Sequence, residues 1–393
     1  MPVVLAMFAG TQEPQRGEIV LAGHRDSVTD LAFSADGQLL VTSSVDLDVK
    51  IWNSRSGQEI ASILAGERYP ENNAPALQFF VNAVAFTPDC KSLVTLGYSI
   101  RRWSIDGGVK EFELTTDRCA DCFALSPDGS LLAVAAGDLC LRDGWTGALS
   151  RQLLRPGIAR VRQMAFLGNG DFLLSGGEHK DKRDDAHLVV WEIKSGTPAY
   201  DLGKGYLGVD RITVSPDRAT IAASLRESIG GRMKTVLKVW TLPDMKELFT
   251  TDLVRTPRAL VLSRNGDLLV GLDDDGTVVG WRLRGGLDNR LVIPPRSGVC
   301  SAIVAPDCKF IALSSTKKLS GDSDEAIVEL WDPDARVKLL ERRLNTKPLR
   351  PAIQEWCPNN VMLTLSFDGK RLAAGLQSGQ VVLLNLESLL REK

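Results

Sequence analysis

The chain has 393 residues, 44% of them hydrophobic and 24% charged, with a formal net charge of −2. That composition is ordinary for a soluble globular protein, and the near-neutral balance excludes a strong non-specific pull on DNA or RNA. No apolar run approaches the roughly 20 residues that span a bilayer.

The N-terminal stretch MPVVLAMFAG is apolar, but it lacks a basic leader and its apolar core is short. It reads as an ordinary strand rather than a secretory signal. The seven cysteines are odd in number and scattered, which argues against a disulfide scaffold and for a reducing, cytoplasmic compartment. Cys119-Ala-Asp-Cys122 is a lone CxxC within a strand pattern, where residues three apart face opposite ways. A zinc or redox site is not expected there.

From Gly23 onward the chain repeats. An apolar strand runs into a Ser-Pro-Asp-Gly-like turn eight times: FSADG (33–37), FTPDC (86–90), LSPDG (125–129), FLGNG (166–170), VSPDR (214–218), LSRNG (262–266), VAPDC (304–308) and LSFDG (365–369). The spacing suits four-stranded propeller blades of ~40–45 residues with insertions. In these turns Pro presets φ, Asp caps with its carboxylate and Gly takes positive φ. Cys90, Arg218 and Cys308 replace that Gly and should be mildly strained or use another turn type.

Each turn is followed by a strand of small and apolar residues, such as LLVTSS, LLAVAA and RLAAGL. Small side chains fit the crowded region near a propeller axis. A third strand ends in Trp52, Trp103, Trp191, Trp240, Trp281 or Trp331. Two units depart: Arg142 and Leu384 stand at the Trp position, with Trp145 in the following turn. Seven units then supply an outer strand, from EIASIL to VKLLERRL, while the eighth ends in a short, helix-like tail at 387–393. The missing strand is Glu18–Ala22, just before Gly23-His24. An N-terminal strand that completes the last blade would close the ring and remove its exposed edges. Residues 1–17 have no place in this scheme. Val3–Phe8 fits either an added edge strand or the cut end of a longer polypeptide.

This pattern resembles the WD40-repeat β-propeller family over roughly residues 18–387. The resemblance implies an all-β fold of eight four-stranded blades, at about 24–64, 81–115, 119–154, 160–202, 209–253, 257–293, 299–344 and 361–386. It also implies a structural network of His, Ser or Thr, Asp and Trp, which here maps to His24, Thr42, Asp46 and Trp52. Its logic is satisfaction of buried polar groups: Trp can only donate, Thr can accept and pass the chain on, and Asp fixes the imidazole. The other seven copies lack the His. Asp275 falls at the Asp position of the sixth blade with no His to orient. A catalytic His24–Asp46 dyad is the competing reading.

In such a blade, with strands a to d in order, the d–a and b–c connections emerge on one face. The long segments Ala65–Phe80, Gly177–Ala186, Arg226–Lys234, Thr316–Ala326 and Asn345–Asn360 all fall there, whereas the a–b and c–d turns are short. Loops on a rigid scaffold accumulate binding residues, and aromatics with cations are frequent interface anchors. The candidates for a protein or peptide partner are Tyr69, Phe79, Phe80, Lys182, Arg183, Arg226, Arg232, Lys317, Lys318, Arg350 and Trp356.

His179 and His187 bracket Asp181, Asp184 and Asp185, a set read as a solvated charged hairpin rather than a metal site. No nucleotide loop, nucleophile elbow or HExxH is present. The expected protein is a non-catalytic, monomeric interaction scaffold without cofactor, metal, nucleic-acid or membrane partner. The alternatives are a propeller enzyme of lactonase or hydrolase type and the C-terminal sensor half of a larger regulatory protein. The style of the Ser-Pro-Asp-Gly turns resembles bacterial members of the family.

Overall fold

The structure, a computed structural model, describes residues 17–68, 78–115, 120–153, 158–179, 186–284, 290–294, 298–318, 324–345 and 361–391. Within them the chain forms eight antiparallel four-stranded sheets, the blades of a β-propeller, and one two-residue ribbon, Glu67–Arg68 with Gln78–Phe79. Blade 1 sets the pattern with strands a to d at Val28–Phe33, Leu39–Ser44, Asp48–Asn53 and Glu59–Leu64. Blades 2 to 7 begin at Ala83, Cys122, Ile158, Gly208, Pro257 and Val299.

Blade 8 takes Met362–Leu365, Arg371–Gly375 and Gln380–Asn385 from the C-terminus and its outer strand, Glu18–Ala22, from the N-terminus. The pairing runs from Glu18 opposite Leu384 to Ala22 opposite Gln380. Helix α1 (Leu386–Leu390) follows, buries Leu386 and Leu389, and is capped by the Asn385 side chain.

Alternation along each strand sends side chains to opposite faces of its sheet. Both faces of a blade are covered by neighbours, so the core divides into eight apolar layers, one at each seam. Between blades 1 and 2 lie Val41, Ile51, Val84, Leu93 and Trp103. Between blades 8 and 1 lie Leu21, Leu31, Leu40, Trp52, Ala373 and Val381. The a strands of neighbouring blades contact one another nearly all round and form the inner ring. The d strands lie outside and are largely exposed.

The repeated turns work through their side chains. Ser34 Oγ donates to Asp36 Oδ1 (2.6 Å), accepts from the Leu39 amide (2.9 Å), and Asp36 caps the Gln38 amide (2.9 Å). The same Ser/Thr-to-Asp bond recurs at Thr87–Asp89, Ser126–Asp128, Ser215–Asp217 and Ser366–Asp368. Cys90, Arg218 and Cys308 keep the turn and adopt the left-handed conformation themselves, with φ of 56°, 62° and 59°.

Candidate functional site

The tryptophan positions settle which polar residues are structural. Trp52 lies opposite Leu40, and the residue two further along that strand is Thr42. Trp52 Nε1–H donates to Thr42 Oγ1 (2.9 Å). The Thr42 hydroxyl proton is then left for His24 Nε2 (2.8 Å), so His24 Nδ1–H points at the Asp46 carboxylate (3.2 Å to Oδ2). Burial alone would raise the Asp46 pKa, but the His24 bond and the Arg25 and Asp48 amides outweigh it and hold it at about 2. Gly23 leaves room for this set: a Cβ there would lie 2.6 Å from the Trp52 ring. His24 is 8% exposed and every polar atom of the set has a structural partner. Nothing in this geometry presents a dyad to a substrate.

In blade 4 a second imidazole takes the place that His24 Nε2 holds in blade 1. Trp191 Nε1–H donates to Ser175 Oγ (2.8 Å), which bonds His187 Nε2 (2.9 Å). His187 is fully buried. This corrects its reading as part of a solvated hairpin: it enters from strand c rather than from the segment before strand a, so a search for Gly-His pairs misses it. Elsewhere the tryptophan finds other acceptors, Thr95 for Trp103 (3.0 Å) and Glu329 for Trp331 (3.0 Å). Asp275 has an ion-pair partner in place of the missing His, Arg255 Nη1 at 2.6 Å. In the two units without a Trp on strand c, Leu384 takes the register position opposite Leu372 and Arg142 that opposite Leu132. Trp145, 48% exposed in the next turn, stacks on Arg102 of blade 2 at 4.4 Å.

Burial pushes the Cys122 thiol up to about 12, which removes it as a thiolate nucleophile at neutral pH. Its CxxC partner, Cys119, lies outside the described residues. Among the described residues no three or more His, Cys, Asp or Glu side chains come together as a metal-binding group.

The face of the b–c and d–a connections is built differently from the expected loops. Much of its extra length is paired strand. In blade 5, strands b and c run Thr220–Ile229 and Arg232–Thr241, in register to the tip. Gly230 and Gly231, at φ 59° and 79°, make the two-residue turn. Arg226–Lys234 is therefore a projecting hairpin, not a loop. Blade 7 does likewise, with Ile311–Lys318 paired to Asp324–Asp332 out to Lys318 opposite Asp324. In blade 4 strand b extends to His179, paired there with Ile158 of strand a.

Of the candidate partner-binding residues, Arg226, Arg232 and Lys317 are exposed on these two hairpins. Arg226 Nε pairs with Asp210 Oδ1 at 2.9 Å. Ile229 and Met233, which residue-by-residue reading of the sequence missed, stand 58% and 61% exposed at the hairpin tip. Phe80 is half-buried beside the two-residue ribbon, whose Phe79 side chain, like that of Lys318, is not described. Tyr69, Lys182, Arg183, Arg350 and Trp356 lie outside the described residues. The structure thus brings together a cationic, partly apolar hairpin but not the full set.

On the opposite face a shallow groove runs between blade 7 and α1, floored by Phe310, Leu339, Leu386 and Leu390. Its rim cations are held by rim carboxylates, Arg282 by Asp334, Lys309 by Asp307 and Lys370 by Glu387, and Asp332 and Asp368 add two further carboxylates.

Comparison with known proteins fits this architecture. The model of the WD domain, G-beta repeat family matches residues 17–53, which hold the complete His24–Thr42–Asp46–Trp52 network. The solved Dos1 propeller superposes with a TM-score of 0.71 at 14% identity, covering 93% of this chain and 94% of that one. The chain is a β-propeller that carries a WD40 repeat at residues 17–53. Translation initiation factor 3 subunit I of Scheffersomyces stipitis is 23% identical over 197 residues, 45% of this chain. Telomerase protein component 1 of Rattus norvegicus is 22% identical over 327 residues, 79% of this chain, and the rat apoptotic protease-activating factor 1 is 34% identical over 88 residues, 22% of this chain. The matched region spans about half the length of the first of these, 51%, and only 11% and 7% of the other two. Among the described residues no helix is long and apolar enough to cross a membrane.

Proposed function

We propose that this propeller is a non-catalytic docking platform that binds a protein or peptide on the face of its b–c and d–a connections. The observation that carries this is the blade 5 hairpin, which projects Ile229 and Met233 beside Arg226 and Arg232. Exposed apolar side chains next to cations on a rigid ribbon offer a partner contact area with little ordering cost. The groove on the opposite face holds its cations Arg282 and Lys370 with its own carboxylates, whereas on the hairpin Arg226 is held by Asp210 and, among the described residues, Arg232 has no carboxylate within ion-pair distance and stays available to a partner. Similarity to subunits and components of larger assemblies supports an interaction role and does not name the partner. A cytoplasmic site of action is part of the same reading.

The test is recovery of partners by tagged protein. Replacing Arg226–Lys234 by a two-residue turn, or combining Arg226→Glu with Arg232→Glu, is expected to abolish recovery at an unchanged melting temperature. A Leu390→Ser change in the opposite groove is expected to leave it intact. Full recovery by the shortened hairpin would refute the reading.

A further inference from the structure

The inner ring carries few charges, and they are unevenly placed. Among the a strands these are Asp30 in blade 1, Arg160 and Arg162 in blade 4, Asp210 and Arg211 in blade 5, and Arg258 in blade 6. All four arginines thus sit in three consecutive blades. In those blades, as in blades 1 and 7, strand a carries a bulge near its start, where the pairing skips between Val161 and Gln163, Val209 and Arg211, and Pro257 and Ala259. The residues left over are Arg162, Asp210 and Arg258. Bulges re-aim side chains, and the start of strand a lies at the channel mouth on the face of the b–c and d–a connections.

Two of these guanidinium groups are fixed without being neutralised. Arg211 donates from Nε to the Arg258 carbonyl (2.6 Å) and from Nη1 to the Asp210 carbonyl (2.8 Å). Arg258 Nη2 donates to the carbonyls of Val299 (2.6 Å) and Cys300 (2.5 Å). The bonds step from blade 5 to blade 6 to blade 7. Carbonyl oxygens orient a guanidinium but carry no full charge, and among the described residues neither arginine has a carboxylate within ion-pair distance. By contrast, Arg160 is paired with Asp121 at 2.5 Å and Arg226 with Asp210 at 2.9 Å. Arg211, Arg226 and Arg258 against the single Asp210 leave two positive charges over, in a chain whose net charge is −2. Both arginines are half-buried, so each keeps an edge toward solvent.

Resting on the docking role proposed above, we infer that the channel mouth at blades 5 to 7 receives an acidic segment of the partner, its carboxylates bonding the free edges of Arg211 and Arg258. Prior fixing by carbonyls lowers the ordering cost of the charge-assisted bonds. A nucleic acid is disfavoured, since two uncompensated cations release few counterions and the whole chain is slightly acidic.

The test uses a fluorescein-labelled 12-residue peptide of alternating Glu and Gly, a matched Lys–Gly peptide and a 12-nucleotide oligo-dT, followed by anisotropy at low and high salt. The Glu peptide alone is expected to bind, more weakly at high salt. Arg211→Gln and Arg258→Gln should each weaken it roughly tenfold. Arg258→Lys, which keeps the charge, should weaken it less, and Arg284→Gln on the opposite face should not change it. Folding of each variant is checked by circular dichroism and melting temperature. No binding of the Glu peptide by the folded wild type, equal binding by the Arg211→Gln/Arg258→Gln double variant, or preference for oligo-dT would overturn the inference. The docking role fails separately, by full partner recovery with the shortened blade 5 hairpin.

Discussion

Leu21→Ala should open the ring at its seam. Leu21 is 2% exposed on the closing strand and packs with Val28, Leu31, Leu40, Trp52, Ala373, Val381 and Leu383, so it joins blade 8 to blade 1. Removing a buried Leu side chain costs its transfer free energy plus the cavity left behind, about 2–5 kcal/mol. That is a large share of the ~5–15 kcal/mol that holds a domain folded. Val20, next along the same strand, is 42% exposed and is the internal control; Val20→Ala should cost less than about 1 kcal/mol. Urea unfolding of both variants gives the comparison as a shift in midpoint. Native-state hydrogen exchange adds a positional readout. In Leu21→Ala the amides of Glu18–Ala22 and their partners Gln380–Leu384 should lose protection together, while those of blade 4 keep theirs. Equal midpoints for the two variants would refute closure through Leu21.

Asp46→Ala should destabilise by ~1–3 kcal/mol by leaving His24 and the Arg25 amide without their acceptor. Because the folded pKa of Asp46 is depressed to about 2 from 3.8, the wild type should lose about 1–2 kcal/mol as pH falls from 4 through 2, after allowance for solvent screening. Thermal melts across that range should show this acid limb flattened in Asp46→Ala. His187→Leu should cost as much as His24→Leu, since Ser175 and Trp191 depend on it as Thr42 and Trp52 depend on His24; a cost below 0.5 kcal/mol in a chemical melt would contradict the shared role. Asp30 behaves oppositely to Asp46. Burial raises it to about 6 despite amide bonds from Val84 and Leu31, so its contribution is present below pH 3.8 and lost as pH rises through 6. Asp30→Asn should therefore flatten the stability profile between pH 4 and 7, by an amount on the order of 1 kcal/mol, and an unchanged slope there would sink this assignment.

The blades were legible in the sequence because each carries its own punctuation. The Ser-Pro-Asp-Gly turn closes on its own side chains, as at Ser34–Asp36, and needs no distant partner to be recognised. Closure was legible by subtraction, since one outer strand was missing and Glu18–Ala22 was spare. His187 was not, because its role depends on register: it enters from the opposite direction to His24 and meets Ser175 only once strands b and c of blade 4 pair. The blade 5 hairpin reads as a loop in the sequence because RESIGGRMK is polar and charged, and only its Gly230–Gly231 pair signals a two-residue turn. Arg211 and Arg258 are illegible in the sequence for a related reason. Isolated arginines in strands look like surface residues until the bulges and the inner ring place them at one mouth.

The docking face is tested most directly by hydrogen exchange of the propeller with and without a recovered partner. Protection is expected at the tip of the blade 5 hairpin, Arg226–Lys234, and at the strand starts around Arg211 and Arg258. Protection confined instead to the groove beside Leu386–Leu390, with the hairpin amides unchanged, would contradict it.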